Sequence, residues 1–217
     1  MKKQYVEKMI FIFWIFMLGS LLGFVHENLL TTFRGHHILR KGLIYEPLIP
    51  VYGMGLVCFC WIFSKFKGNK KIKSIIMAFF ASFLMGGLVE YIFSFLQEAI
   101  FGTISWDYSR YAHNILGRTS LYHCTIWGLM GLVFYIFIYP LIIKLKSYIN
   151  NNWVKKLTIL FAIILALDCT ISCLACLRQS ERRKAIVATN KMDEFLDRNY
   201  PDEMLEHIFN NARIPKR

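Results

Sequence analysis

Five long runs of apolar residues, separated by short polar or charged segments, make up the hydrophobicity pattern of this chain. Each run is long enough to cross the roughly 30 Å hydrocarbon core of a bilayer as a helix rising about 1.5 Å per residue. Backbone groups in lipid must be satisfied within the segment itself, so such runs predict helices. The pattern predicts an all-α integral membrane protein with five transmembrane helices, at 9–30, 48–66, 74–99, 121–143 and 157–177.

The chain divides into an apolar part and a charged tail. Residues 1–178 contain the five runs and are predicted to form the transmembrane domain. Residues 179–217 carry scattered charges, with apolar residues at partly helical spacing. We interpret this tail as an amphipathic pair of interfacial helices, broken near Pro201, because proline suits the first turn of a new helix. A solvated and partly disordered tail is the alternative.

The first and third predicted helices repeat one pattern of small and acidic residues. Each has two small residues and then a glutamate at i, i+4 and i+8, so the three lie along one stripe. Small residues let membrane helices approach closely, which would place each glutamate at the end of a packed seam. The pattern suggests a duplicated helical hairpin plus a fifth helix, with chance similarity between apolar segments as the alternative. The two sets are Gly19, Gly23 and Glu27, and Ser82, Gly86 and Glu90.

The segment GLIYEPLIPVYGMG, from Gly42 to Gly55, leads into the second run. Glycine and proline free backbone groups at the start of a membrane helix, which is tolerated only where protein or water satisfies them. Pro47 and Pro50 can occupy a first turn, and the charge of Glu46 would lie near the positive helix end. We predict a shaped entrance or a short re-entrant step; an N-terminal cap with interfacial tyrosines is the alternative. The entrance residues are Gly42, Tyr45, Glu46, Pro47, Pro50 and Gly53.

Polar residues within or beside the apolar runs collect at one membrane face. The first and third helices end there and the second and fourth begin there, whichever orientation holds. An ionisable side chain costs about 2.5–3.5 kcal/mol at the centre of a membrane helix, so it usually faces a partner or a cavity. We predict a polar cavity; the alternative is pairing of Glu27 or Glu90 with Arg118, and of Asp168 with a donor from another helix. The candidate site residues are His26, Glu27, Glu90, Glu98, Trp106, Asp107, Asn114, Arg118, His123 and Asp168.

The formal net charge of +12 belongs to a chain that is 56% hydrophobic. In such a chain basic residues set orientation and contact anionic lipid, so we expect membrane lipids and no nucleic acid as partners. Lysines in the N-terminus and in the short loops at Lys70 and Lys155 favour an N-terminus in the cytoplasm of a bacterial cell. Asp107 and the tail would then face outside. A basic group directly after the last helix argues for the reverse: Arg178, Arg182, Arg183 and Lys184.

The sequence carries no motif for nucleotide or metal chemistry. It has no Gly-x-x-x-x-Gly-Lys-Ser/Thr phosphate loop and no Gly-x-Ser-x-Gly nucleophile elbow. ATP-driven transport would therefore require a separate ATPase or another membrane subunit. The histidines lack the spacing of metal sites, and the six cysteines lie in or beside apolar runs as small hydrophobic residues. We expect no metal and no cofactor.

A set of polar and turn residues carries a resemblance to a known family. The set is Glu27, GLIYEPLIPVYG, Glu90, Glu98, WDYS at 106–109, Asn114, Gly117-Arg118, Asp168 and Arg178. It resembles the family described as "putative ABC-transporter type IV", the CmpB-like membrane permease proteins of bacteria, over most of the chain, including FLDRNYPDEM in the tail. Glu46 is a departure, because the family pattern there is similar to Leu-Tyr-Gly-Pro. The resemblance implies a polytopic permease-like membrane protein and implies no substrate.

Three functions are compatible with these residues. The leading one is a transport-related membrane subunit whose polar cavity opens near Glu27, Glu90 and Arg118. The second is an intramembrane enzyme acting on a lipid or polyprenyl headgroup, with a carboxylate or His123 as base and Arg118 binding phosphate. The third is a non-catalytic scaffold or sensor in which the charges hold the helices together.

Overall fold

The computed structural model describes residues 2–33, 35, 41–66 and 72–215. Lys70, used above for the orientation, lies outside the described residues. The described chain consists of helices with a short hairpin of strands, so the predicted helical membrane class is confirmed. The strands are β1 (Asn114–Ile115) and β2 (Thr119–Ser120). The helices are α1 (Lys2–Phe33), α2 (Pro50–Phe63), α3 (Ile72–Phe101), α4 (Leu121–Val133), α5 (Tyr139–Leu145), α6 (Asn152–Arg182), α7 (Lys191–Asn199) and α8 (Asp202–Ile208).

Four helical segments of the described chain are long and apolar enough to cross a membrane. They are Gln4–Phe33, Ile72–Phe101, Leu121–Ile149 and Asn152–Arg182. The remaining apolar helix, α2, has 14 residues, which makes it about 21 Å long. The predicted number of five spanning helices is therefore not confirmed, although the multi-pass character is.

The second apolar run is shorter as a helix than as a sequence pattern because its first residues are extended. Ile49 has φ −120° and ψ 98°, outside the helical region. A residue before proline is disfavoured in the helical conformation, since the proline ring clashes with its backbone. Pro50 then occupies the first turn of α2, where no backbone donor is needed.

The fourth apolar run changes helix type along its length. A π-helical turn, Phe134–Ile138, joins α4 to α5, and a 3-10 turn, Lys146–Asn150, follows α5. Pro140 lies in the first turn of α5 and has no N–H to donate to the preceding turn. A wider turn next to a proline accommodates the missing bond, so the segment stays continuous without being a uniform α-helix.

The close contacts within two antiparallel helix pairs, α1 with α2 and α3 with α4, involve glycines. A Cβ atom built on Gly23 would overlap the ring of Tyr52, and one built on Gly86 would overlap the ring of Trp127. The small-residue stripes noted in the sequence therefore form the seams of two hairpins. Glycine is needed at these points because a larger side chain would push the aromatic ring away.

An aromatic core joins the two hairpins. Phe59 and Phe63 of α2 pack against Trp127 and Phe134, and Phe63 also contacts Tyr135. All five side chains are buried, and Phe63 is only 1% exposed. Aromatic side chains of this size contribute a large buried area each. The core therefore holds α2 beside α4.

Large apolar side chains also lie on the outer surface of the helices. Leu84 of α3 and Leu167 of α6 are each 66% exposed. Extended apolar surface of this kind is unfavourable in water but is matched by hydrocarbon. The outer faces of these helices are therefore suited to lipid contact.

The tail forms the helices α7 and α8, separated at Tyr200 and Pro201 as the sequence predicts. Asn190 caps α7, because its side chain accepts hydrogen bonds from the backbone N–H groups of Met192 and Asp193. The preceding helix α6 continues to Arg182, four residues past the boundary at 178 assigned from the sequence.

The tail packs against the protein through its apolar side. Leu196, Leu205 and Phe209 are buried and contact Ala175 and Cys176 of α6. Their position at a membrane interface stays a prediction, and in the described structure they contact α6. The α6 side chains at this contact, Ala175 and Cys176, are small and leave room for the two tail helices.

Candidate functional site

The predicted polar residues lie at the end of the bundle where α1 and α3 end and α2 and α4 begin, which we call the site face. Gly23 of α1 contacts Tyr52, and Gly86 of α3 contacts Trp127. One helical turn further on, Glu27 and Glu90 reach the same two aromatic residues, because positions i and i+4 share a helix face. The seam of each hairpin therefore ends in an acid.

Glu27 is bonded to the first turn of α2. The Tyr52 hydroxyl donates to Oε1 of Glu27 at 2.6 Å and lies 3.4 Å from Nδ1 of His26. A separation of 2.6 Å is typical of a hydroxyl bonded to a charged acceptor, which is stronger than a bond between neutral groups. This bond closes the α1–α2 hairpin at the site face.

Glu90 is only 6% exposed although it is acidic. The Tyr108 hydroxyl donates to its Oε1 and the Thr119 hydroxyl to its Oε2, each at 2.9 Å. The indole N–H of Trp127 is a third donor. These three described donors are neutral, so they satisfy the oxygens of Glu90 without supplying an opposite charge.

An aromatic pair joins the two acidic positions. The rings of Tyr52 and Trp127 lie 5.1 Å apart at 41°. Glu27 and Glu90 are also close enough to interact electrostatically. One continuous group therefore links the two hairpins, and we call it the carboxylate cluster. It consists of His26, Glu27, Tyr52, Glu90, Tyr108, Thr119 and Trp127.

Arg118 lies beside this cluster and is paired with a different acid from those expected. Its guanidinium donates to Oε2 of Glu98 at 2.5 Å and to the Ser94 hydroxyl at 3.3 Å. The indole N–H of Trp106 donates to the Arg118 carbonyl oxygen at 2.8 Å. The alternative considered from the sequence, pairing of Arg118 with Glu27 or Glu90, is therefore not seen, because Arg118, just before β2, lies nearer the end of α3, where Glu98 is.

The loop between α3 and α4 positions Tyr108. Gly117 has φ +70°, a conformation that favours glycine, and its carbonyl accepts the N–H of Tyr108 at 2.7 Å. Asn114 Oδ1 accepts the Gly117 N–H at 2.9 Å, which fixes this turn. Burial, with nearby carboxylate charges, raises the pKa of Tyr108, so its hydroxyl stays protonated as a donor.

Asp107 acts on the same loop rather than on the cluster. Its Oδ1 accepts the backbone N–H of Ser109 at 2.9 Å. This bond lowers the pKa of Asp107, because it favours the ionised form. The two predicted residues Asp107 and Asn114 therefore shape the loop that carries Tyr108.

His123 contacts the cluster through its ring face. Its ring stacks on Tyr108 with centroids 3.5 Å apart, and its Nδ1 lies 2.8 Å from the Ser120 hydroxyl. A serine beside a histidine can form a nucleophile pair, but Ser120 is 1% exposed and caps α4. The Ser120 and His123 pair therefore closes the start of α4 and has little access for a substrate.

Asp168 belongs to a second group, on α6. Its Oδ1 accepts the backbone N–H of Tyr45 and the Ser172 hydroxyl, and its Oδ2 accepts the backbone N–H of Glu46. Each of these bonds is 2.8–2.9 Å long. The alternative considered from the sequence was a donor from another helix; the donors are instead backbone N–H groups of the segment that precedes α2, which are not used in a helix.

The entrance residues form a closed loop ahead of α2. The Gly42 N–H donates to the Leu48 carbonyl oxygen at 3.3 Å, and the Ile49 N–H donates to the Ser20 carbonyl oxygen of α1 at 3.0 Å. Pro47 is exposed at the turn of this loop.

The beginning of α2 is packed against α1. Pro50 opens the helix, and Gly53 lies so close to the Phe16 backbone and the Ser20 side chain of α1 that a Cβ atom would overlap them. The loop and the first turn of α2 therefore bridge α1 and α6.

A narrow pocket lies beneath the tail, away from the carboxylate cluster. It has an empty volume of about 280 Å³, partly open to solvent, between Phe101, Thr103, Gln179, Leu205 and Phe209, among other residues. Around the carboxylate cluster the polar groups bond to one another. Among the described residues, no group of three or more His, Cys, Asp or Glu side chains is arranged to hold a metal ion.

Four members of the site were missed or undervalued from the sequence. Tyr52, Tyr108, Thr119 and Trp127 are not among the candidate site residues predicted from the sequence. Tyr108 and Thr119 reach Glu90 through loop geometry, which gives no periodic signal. An aromatic residue directly before glycine in both second helices, Tyr52-Gly53 and Trp127-Gly128, was the available signal.

Comparison with known proteins gives one match, to a family model. No curated protein and no solved structure matches the chain. The family model described as "Putative ABC-transporter type IV" matches residues 14–173, which include both hairpins, the carboxylate cluster and Asp168. A match over this share of the chain establishes membership, so this protein belongs to the ABC-transporter type IV family.

Proposed function

We propose that this protein is the membrane subunit of an ABC-type transport system and that a transported solute or coupling cation contacts the helices at the carboxylate cluster. The family and the apolar helices support the membrane transport class. The observation that carries the second part is the environment of Glu90. This acid is 6% exposed and its described donors, Tyr108, Thr119 and Trp127, are all neutral.

A carboxylate in this setting is costly for a purely structural role. Burying a charge without an opposite charge is unfavourable, and an apolar or amide side chain could hold the same helices together. Ionisable residues inside membrane proteins commonly mark substrate, ion or proton pathways. A negative group of this kind attracts a cation or a proton, whereas the nearby Arg118 is already neutralised by Glu98.

The position of the cluster also suits transport. It lies where the α1–α2 hairpin meets the α3–α4 hairpin, and the contact between Tyr52 and Trp127 bridges the two. If the hairpins are a duplicated unit, a rocking movement of one against the other would change this contact and the access to both glutamates. Transport sites at the interface of structural repeats operate in this way.

A separate subunit would provide the energy. The chain has no phosphate loop, so ATP hydrolysis would come from a partner ATPase.

A lipid-headgroup enzyme receives less support from the geometry. Its proposed phosphate-binding residue Arg118 is bonded to Glu98 and Ser94, and Nδ1 of its proposed base His123 is occupied by Ser120.

Native mass spectrometry of the purified protein in lipid nanodiscs tests the proposal. We expect a small cationic molecule or ion to stay bound to the unaltered protein and to be lost in Glu90→Gln, because glutamine keeps the shape and removes the charge. Glu194→Gln is the matched control, since Glu194 is exposed on α7. Retention of the same bound species by Glu90→Gln, with normal thermal stability, would contradict the proposal.

A further inference from the structure

The carboxyl groups of Glu46 and Asp168 meet where the entrance loop contacts α6. Asp168 already accepts three donors: two backbone N–H groups, from Tyr45 and Glu46, and the Ser172 hydroxyl. A carboxyl group that accepts three donors is held in its ionised form. The negative charge of this pair therefore belongs to Asp168.

Glu46 has the opposite environment. Its carboxyl group is close enough to that of Asp168 for the two to interact, and its Oε2 is buried and receives no donor from the described residues. Two ionised carboxylates cannot hydrogen-bond to each other, because each can only accept. A protonated Glu46 can donate its O–H to Asp168, so one proton shared by the pair accounts both for the adjacent carboxyl groups and for the buried oxygen that receives no donor.

We propose that this shared proton is a latch that holds the entrance loop, Gly42 to Pro50, closed against α6 and the tail. When Glu46 loses its proton to water, two negative carboxylates face each other and the loop separates from α6. The backbone N–H groups of Tyr45 and Glu46 then lose their bonds to Asp168. This step needs no group other than water, and it is independent of which solute is transported.

Opening the latch would change the packing of the tail as well as that of the loop. The ring of Tyr45 packs against Tyr200 at 5.9 Å and against Phe209 at 5.3 Å between centroids. Leu43 contacts the same tail cluster. A loop that leaves Asp168 must therefore withdraw Tyr45 from α8, so one proton controls the packing of two segments at the site face.

Some neighbouring charged and titratable groups raise the pKa of Glu46 and others lower it. Lys41, on the same loop, opposes protonation of Glu46 and donates to the Tyr45 carbonyl oxygen at 2.7 Å. On α6 the groups are Asp168 and Cys169, and the tail contributes Tyr200 through its contact with Tyr45. The bond to Asp168, then burial, then the charge of Asp168 raise the pKa of Glu46 from 4.5 to about 7.

The raised pKa of Glu46 determines how the stability of the closed loop depends on pH. A raised pKa means that the closed form binds the proton more tightly than the open form does. The latch therefore contributes fully below about pH 4.5, the ordinary value, and its contribution is lost as the pH rises through about 7. The loop is closed in acid and opens in mild alkali.

Hydrogen exchange of the full chain in lipid nanodiscs tests the latch. The probe is protection of the Tyr45 and Glu46 amides between pH 6 and 9, after correction for the pH dependence of chemical exchange. Release of one proton predicts a loss of protection of about tenfold per pH unit above pH 7. The Ser109 amide is the internal control, because it is bonded to Asp107, a carboxylate without a carboxyl partner.

Two variants complete the test. Glu46→Gln should keep protection high at every pH, because the glutamine N–H donates permanently to Asp168. Glu46→Ala should lose the pH dependence, because it has neither the donor nor the negative charge that would oppose Asp168, while the two backbone bonds to Asp168 remain. The latch is refuted if the unaltered loop shows no more pH dependence than the Ser109 amide, or if either variant keeps the pH dependence of the unaltered protein.

Discussion

The ring of Tyr52 lies 5.1 Å from the ring of Trp127, and each side chain donates a hydrogen bond to the acid that ends its own hairpin seam. Tyr52 bonds to Glu27 and Trp127 bonds to Glu90. Each ring also rests on a glycine of the preceding helix. The two hairpins therefore use the same arrangement of glycine, aromatic ring and acid, and their origin as a duplicated unit stays a prediction.

The glycine seam can be tested by adding one methyl group. Gly86→Ala should destabilise the protein by about 1–3 kcal/mol, because the new Cβ overlaps the Trp127 ring. Gly55→Ala is the matched control, since its Cβ would lie 3.3 Å from the same ring and needs only a small shift. Unfolding midpoints in one detergent measure both. Equal midpoints for the two variants would show that the seam is not tightly packed.

The bond from Tyr52 should contribute measurably to stability. Tyr52→Phe removes the hydroxyl and takes one donor from a charged acceptor, which costs about 1–3 kcal/mol. Tyr148→Phe is the control, because Tyr148 is 66% exposed, and a change within about 0.5 kcal/mol is expected there. If both variants unfold like the unaltered protein, the 2.6 Å bond carries no net stability.

Docking of the tail should depend on Arg178. Its side chain is 3% exposed and pairs with Asp197 at 2.9 Å. The Arg178→Gln variant should therefore exchange its α7 amides faster at neutral pH. Arg198→Gln, on the exposed side of α7, should not. Unchanged protection in Arg178→Gln would mean that apolar packing alone holds the tail.

The same ion pair predicts behaviour in acid. The bond from Arg178 lowers the pKa of Asp197 to about 2. A lowered pKa contributes stability that is fully present above the ordinary value of 3.8 and is lost as the pH falls through about 2. Protection of α7 should therefore persist to pH 4 and decrease below it. A decrease that begins near pH 6 would point to another group.

The orientation remains a prediction, with the N-terminus in the cytoplasm. The structure identifies exposed positions for labelling: Arg110, in the loop that contains Asp107, and Lys156, next to Lys155. In a cysteine-free background, a membrane-impermeant thiol reagent applied to intact cells should label Arg110→Cys and leave Lys156→Cys unlabelled. The reverse pattern would place the N-terminus outside.

Orientation also determines how much surface a partner ATPase can use. With a cytoplasmic N-terminus, only the leading residues and two short lysine-rich loops face the cytoplasm, which is little beside the roughly 800 Å² per partner of a standard interface. We then expect the partner ATPase to dock too weakly to co-purify in stoichiometric amounts in mild detergent. Such a complex, found together with a cytoplasmic N-terminus, would show that short basic loops suffice for docking.

Much of the fold follows from the hydrophobicity pattern, and the boundaries follow from local chemistry. The apolar runs correspond to the long helices, and the tail divides at Pro201 as expected. The second run forms a shorter helix than predicted, because Ile49 precedes a proline and is extended. The fourth run is not a uniform α-helix, because Pro140 interrupts the α-helical bonds. In the second run, the number of apolar residues therefore overestimates the length of the helix.

The sequence by itself determined the membrane class, the glycine seams and the face on which the acids collect, because helical periodicity places i and i+4 on one side. The sequence did not determine which groups these polar side chains bond to. Arg118 pairs with Glu98, and Asp168 binds the backbone of the entrance loop. Tyr108 and Thr119 reach Glu90 from a loop and a short strand. Only the tertiary structure decides such contacts, since they join residues far apart in the chain through turns whose geometry has no periodic signal.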